Sequence, residues 1–376
     1  MSTVVILVIV TALVFDFTNG FHDTANAMAT SIATGALRPR IAVALSAVLN
    51  IVGAFLSTAV AKTISGGIVD DSKVTPSIIF GGLVGAILWN LLTWLAGLPS
   101  SSSHALFGGL IGATWIAAGS GAVHFNKVME KIVVPAVASP LIAGVVAMVG
   151  TYAVYMLVRR ARQETVTSTF RHGQVVSASM VSLAHGTNDA QKTMGVITLT
   201  LIAAGKLPSG SGPPFWVILT AALSIAAGTY LGGWRIIQTV GHKLTNVVAP
   251  QGFAAESSAA AVILASSHLG YALSTTHVAS GSVIGSGVGK RLSEVRWGVA
   301  GRMVLAWVFT LPAAAIVGAL SGRVAASSTI GVVLVALAAI AAAGAIYLAS
   351  RRSAVTAGNV NSIRPQAAAE PAVAPV

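Results

Sequence analysis

Eleven apolar stretches, most about as long as a bilayer is thick and separated by short polar or basic loops, decide what this chain can fold into. They are Val4–Leu37, Ile41–Ala61, Ser77–Ala96, Ala105–Ala118, Ile132–Val158, Val175–Ala204, Phe215–Trp234, Phe253–Ala272, Val278–Gly289, Trp297–Leu320 and Ile330–Leu348. A helix needs about 20 such residues to cross the hydrocarbon core. Only 9% of the 376 residues are charged and 55% are hydrophobic, against roughly a quarter charged in soluble domains. So few charges cannot cover a soluble surface, and the expected fold is an all-α polytopic membrane protein. The absence of cysteine excludes disulfides, thiolate metal sites and cysteine nucleophiles. The net charge of +12 does not imply nucleic acid, because the 22 Lys and Arg stand as short clusters between apolar stretches. Membrane lipid is the expected surroundings, with no cleavable signal peptide in Met1–Val10.

Val4–Leu37 and Val175–Ala204 are too long for straight spans, and each carries a polar patch in mid-segment. Broken helices are expected there, since polar backbone at membrane depth survives only where it lines a protein cavity. The densest basic cluster, Arg159, Arg160, Arg162 and Arg171, belongs in the cytoplasm. The Lys62–Lys73 and Lys206 loops then lie outside. These placements close only if Ser77–Ala118 and Phe253–Gly289 are re-entrant or membrane-inserted hairpins, entering from outside and inside respectively. Each half then makes an odd number of crossings, so the second is inverted relative to the first. Gly20-Phe21-His22-Asp23 recurs as Gly186-Thr187-Asn188-Asp189, and Ser101-Ser102-Ser103-His104 as Ser274-Thr275-Thr276-His277. The expected organisation is two inverted repeats, 1–158 and 175–326, joined by a basic cytoplasmic linker, 159–174. An additional helix at 327–352 and a disordered Ala/Pro-rich tail at 353–376 follow. Inverted repeats with broken helices are the layout of many secondary transporters.

Four of the ten acids lie inside apolar segments: Asp16, Asp23, Asp189 and Glu256. An acid at the bilayer centre costs roughly 2.5–3.5 kcal/mol on insertion scales and usually faces a cavity. Asp23 with Asn26, and Asp189 with Asn188, offer carboxylate and amide oxygens, hard ligands suited to Na⁺. Interhelical hydrogen bonding is the bland alternative. Glycine before each polar triplet is expected to loosen the helix and expose backbone groups. Lys192, one turn after Asp189, either neutralises it or attracts an anion. The hydroxyls Ser101, Ser102, Ser103 and Ser274, Thr275, Thr276 stand where the outgoing hairpin arms begin. They are either plain N-caps or part of an anion site built on helix N-termini. Thr24, Gln191 and Lys192 join them as candidate anion ligands. Protonated phosphate can donate to a nearby carboxylate and sulfate cannot, which tilts the substrate towards phosphate. His22, His104, His185 and His277 come from both motifs and both tips. They are either satisfied core histidines or a proton relay. No nucleophile triad, Walker loop, dinucleotide fingerprint or zinc spacing is present, so an enzyme is not expected.

Asn19–Ala27, His185–Gly195, Leu98–His104, Gly252–Glu256 and Ser274–His277 together resemble the inorganic phosphate transporter (PiT) family, most closely its bacterial low-affinity permeases. The resemblance extends to about Arg352. It implies cation-coupled symport of phosphate, free or as a metal–phosphate complex, with Na⁺ or H⁺ as coupling ion and no cofactor. It carries the coupling cation onto Asp23, Asn26, Asn188, Asp189 and Glu256, with Na⁺ at the first four if sodium is the ion. Phosphate falls on Ser101 to Ser103 and Ser274 to Thr276. Asn50 stands where many members carry an acid. Ala272 replaces the proline expected before the second tip, which predicts a softer break there. The implied protein is a secondary active symporter in a bacterial-type cytoplasmic membrane, with a homodimer as the expected assembly. A sulfate permease on the same scaffold, a passive anion channel and a non-transporting receptor are the alternatives.

Overall fold

The computed structural model describes residues 2–362. Among these the chain forms thirteen helices of four residues or more and no sheet. In chain order they are α1 (Thr3–Ala33), α2 (Pro39–Ala54), α3 (Ala59–Gly67), α4 (Pro76–Leu95), α5 (Ser102–Ala118) and α6 (Phe125–Val158). Then follow α7 (Gln163–Ala203), α8 (Phe215–Leu231), α9 (Trp234–Lys243), α10 (Ala249–His268), α11 (Thr275–Lys290), α12 (Trp297–Ser327) and α13 (Thr329–Arg351). Five of them, α1, α4, α6, α12 and α13, are long and apolar enough to cross a bilayer. The pairs α2–α3 and α8–α9, bent by 69° and 58°, bring the total to as many as seven.

The helix breaks are real but sit elsewhere than the polar patches suggest. Both α1 and α7 run unbroken through their motifs. The bends fall instead in the second segment of each half, at Phe55–Thr58 and at Gly232–Gly233. Gly232 has φ of +73°, a conformation that ends α8 at little steric cost. The basic segment expected as a linker is mostly helix, since α7 begins at Gln163 and no Gly or Pro interrupts it before Gly173.

Each half exchanges helices with the other. The hairpin α4–α5 packs against α12, and α10–α11 packs against α6. Likewise α1 lies along α8, and α7 along α2. An isolated antiparallel bridge closes the base of each hairpin, Val69 with Val123 and Thr245 with Val295. The first base shares its end of the molecule with the 205–213 loop, through Ser209 Oγ donating to Asp71 at 2.5 Å. The second base lies with the end of α1 and the α6–α7 corner, where Thr34, Arg159 and Val248 line a common cleft. The hairpins therefore enter from opposite ends.

Both tips turn alike. Six residues, 96–101 and 269–274, separate the arms in each. Gly97 and Gly270 take φ of +65° and +74°. The second break is thus as complete as the first: the glycine makes the turn, and proline at position 272 is not needed.

Bare apolar side chains such as Leu141, Val308 and Ile340 cover the outer faces of α6, α12 and α13, as a lipid-facing surface requires. The start of the tail is ordered against α9 rather than free. Arg235 Nη2 donates to Ser350 O at 2.8 Å and Ser353 O at 2.6 Å, His242 Nε2 lies 2.8 Å from Asn361 Oδ1, and Val360 is buried. The rest of the expected disordered tail, 363–376, lies outside the described residues.

Candidate functional site

Glycine lets the two motif helices approach their neighbours. A Cβ on Gly20 would come 2.9 Å from Thr229 N and closer still to Ile225 O on α8. On Gly186 it would lie 2.6 Å from Asn50 Cα on α2. These glycines therefore permit close packing of intact helices; they do not loosen them.

Close packing sets Asp23 and Asp189 face to face across the second hairpin tip. Thr275 Oγ1 lies 3.4 Å from Asp23 Oδ2 and 3.2 Å from Asp189 Oδ2. Asp23 Oδ1 also accepts from Ser102 Oγ at 3.1 Å and Thr276 Oγ1 at 3.3 Å, and lies 2.7 Å from His22 Nδ1. Asn26 Nδ2 donates to Thr276 Oγ1 at 3.1 Å. Ser103 Oγ donates to Leu273 O at 3.3 Å, joining the two tips. Asp189 receives Lys192 Nζ at 2.5 Å, Asn19 Nδ2 at 3.4 Å, and has His185 Nε2 at 3.3 Å. Asp23, His185 and Asp189 each present a ligand atom within 4.8 Å of the others, which is within reach of one bound cation.

The tips offer anion chemistry at the same place. Ser101 Oγ and Ser274 Oγ accept from His104 N at 3.1 Å and His277 N at 3.2 Å, so both are N-caps. Amides of Ser102, Ser103, Thr275 and Thr276 follow them in the first turns of α5 and α11, where no intrahelical acceptor exists. Two helix N-termini thus face a pair of carboxylates through their own hydroxyls.

Other candidates are placed apart. Thr24 Oγ1 donates to Gly20 O at 2.6 Å and Thr229 O at 3.3 Å, away from the tips. Gln191 caps α3, its Oε1 accepting from Val60 N at 2.8 Å and Ala61 N at 3.2 Å, while its Nε2 donates to Thr187 O. Asn188 Nδ2 donates to Ser267 Oγ at 2.8 Å and Tyr271 O at 3.3 Å, holding the second hairpin to α7. Glu256 forms a separate cluster, accepting from Thr30, Ser31, Gln174 and Ser177 at 2.5–3.1 Å. His22 and His185 touch the motif acids. His104 and His277 meet edge to face instead, ring centres 4.7 Å apart, beside an apolar cavity of about 670 Å³.

Sequence reasoning missed Thr93, and placed Ser100 in the first tip without assigning it to the site. Their hydroxyls are 2.7 Å apart and both approach His22 Nε2, at 3.3 and 3.4 Å. Asn50 Oδ1 similarly lies 3.1 Å from His185 Nδ1. For Thr93 and Asn50 the available signal was a polar residue within an apolar span, and for Ser100 it was the serine run of the first tip.

Helical spans, two hairpins entering from opposite ends and a buried polar site where their tips meet define a polytopic membrane transporter. The profile of the phosphate transporter family matches residues 19–166 and 158–318. A "probable low-affinity inorganic phosphate transporter" of Mycobacterium bovis is 58% identical over 364 residues, covering 95% of this chain and 86% of its own length. A protein of the same name from Bacillus subtilis is 44% identical over 318 residues, 84% of this chain and 95% of its own. A solved structure described as the sodium-dependent phosphate transporter superposes with a TM-score of 0.77 at 26% identity, covering 86% of this chain and 99% of that one. The chain belongs to the phosphate transporter family. Its relatives are named as transporters, in keeping with the expectation of no enzymatic activity.

Proposed function

We propose that this protein imports inorganic phosphate, free or as a metal–phosphate complex, by secondary active symport with Na⁺ or H⁺ across the cytoplasmic membrane. One observation carries the reading: two hairpin tips with open first-turn amides meet at the paired acids Asp23 and Asp189. The amides and helix dipoles suit an oxyanion, and the carboxylates suit the cation that must accompany it. Alternating access would come from one repeat moving against the other around this site.

Radiolabelled phosphate uptake into proteoliposomes under an imposed Na⁺ or pH gradient tests the proposal. Accumulation against a phosphate gradient is expected, and equilibration alone would indicate a channel. Concentrative uptake of sulfate in place of phosphate would keep the mechanism and overturn the substrate.

Ser102→Ala combined with Thr275→Ala is expected to raise the KM for phosphate about tenfold or more, because even one hydrogen bond to a charged group contributes roughly 1.5–3 kcal/mol. An unchanged KM would remove the tips from substrate binding.

A further inference from the structure

The two halves of the site differ in charge at one station. The repeat that carries Asp23 onto Asp189 also carries Asn26 onto Lys192. One turn after the acid, the first half has an amide and the second an ammonium. Lys192 and Asp189 are both 0% exposed. Lys192 Nζ lies 2.5 Å from Asp189 Oδ1 and 3.0 Å from Leu273 O. A carboxylate oxygen and a backbone carbonyl are the hard donors an alkali cation would take from this half. Asp16 is fully buried and lies within electrostatic reach of both Lys192 and Asp189. The positive charge therefore sits among two acids and a carbonyl. The first half has no equivalent fixed ammonium: Asp23 is met by hydroxyls and by His22, and Asn26 gives its amide to Thr275 and Thr276.

We infer that Lys192 is a tethered cation, its ammonium occupying on Asp189 the seat that the repeat assigns to a second exchangeable coupling cation. Asp23 and Asn26 then keep the exchangeable seat, and each phosphate travels with one cation fewer than the duplicated scaffold could carry. The inference rests on the symport reading above.

Two measurements test it, both with the membrane potential clamped in proteoliposomes. At static head, wild-type phosphate accumulation should rise as the first power of the imposed coupling-cation gradient, since the exponent counts exchangeable cations by mass action. The variant Lys192→Asn, which copies the residue of the first half, should raise that exponent by one and move one more elementary charge per phosphate. A wild-type exponent of two overturns the inference even if the variant fails to insert. So does a transporting variant whose exponent and charge ratio are unchanged, and a rise in phosphate KM without a change of ratio would make Lys192 a substrate ligand instead. Absence of any concentrative uptake by the wild type is a separate result: it sinks the symport reading and takes the inference with it.

Discussion

Asp23→Asn is expected to reduce concentrative phosphate uptake to the level of empty liposomes while the purified protein melts close to the wild type. Asp189→Asn is expected to lose both uptake and stability. The difference follows from the partners. Asp23 is held by the hydroxyls of Ser102, Thr275 and Thr276 and by the His22 ring nitrogen 2.7 Å away, all of which can bond an amide as well as a carboxylate. The substitution removes the charge that would hold a cation and little else. Asp189 is also the counter-charge of a fully buried ammonium. Removing one member of a buried ion pair costs about 3–5 kcal/mol, because the other is left uncompensated. Adding Lys192→Met to Asp189→Asn should therefore restore the melting temperature and leave uptake absent. Normal uptake by both single variants would remove the cation site from these acids. Equal melting of the two would show that Lys192 does not depend on Asp189.

Most of the fold follows from local pattern, which is why it could be read from the chain alone. Apolar length locates the helices, and the recurrence of GFHD as GTND ties the halves together. Helical period contains more than composition does about the site. Asn19, Asp23 and Asn26 lie three or four residues apart, as do His185, Asp189 and Lys192, so each set shares a helix face. Thr24 is one residue from Asp23, about 100° around the helix, and Gln191 is two from Asp189. Both therefore point towards neighbouring helices, as their bonds to Thr229 and to the α3 amides record. What could not be read is whatever depends on distant partners. The polar patch of α1 looks incompatible with an unbroken helix until Thr30 and Ser31 find Glu256, and Asn19 finds Asp189. Those partners lie more than 150 residues away, and no local pattern anticipates them. The same holds for Ala272, whose missing proline suggests a weaker turn only while the backbone of Gly270 is unseen.

Gly20→Ala and Gly186→Ala should each destabilise the protein and depress uptake together, although neither glycine touches a ligand. One methyl at position 20 meets the backbone of α8 at Ile225 and Thr229, and at position 186 it meets the backbone of α2 at Asn50. Backbone on both sides cannot rotate away as a side chain could, so the helices must part. Overpacking of this kind typically costs about 1–3 kcal/mol, and with backbone on both sides the upper part of that range outweighs the usual gain when Ala replaces Gly in a helix, about 1 kcal/mol. The displacement would also reach the site. Asn50 holds His185 at 3.1 Å and donates to Thr229 at 2.8 Å, so moving α2 carries the imidazole beside Asp189 with it. Gly66→Ala is the control, since a methyl there meets nothing within 4 Å and the residue lies in α3. It should melt at or slightly above the wild type with uptake intact. Wild-type melting of Gly20→Ala and Gly186→Ala would mean that these interfaces are looser than the structure shows. Reduced melting with full uptake would uncouple the spacing of α1 and α7 from the geometry of Asp23 and Asp189.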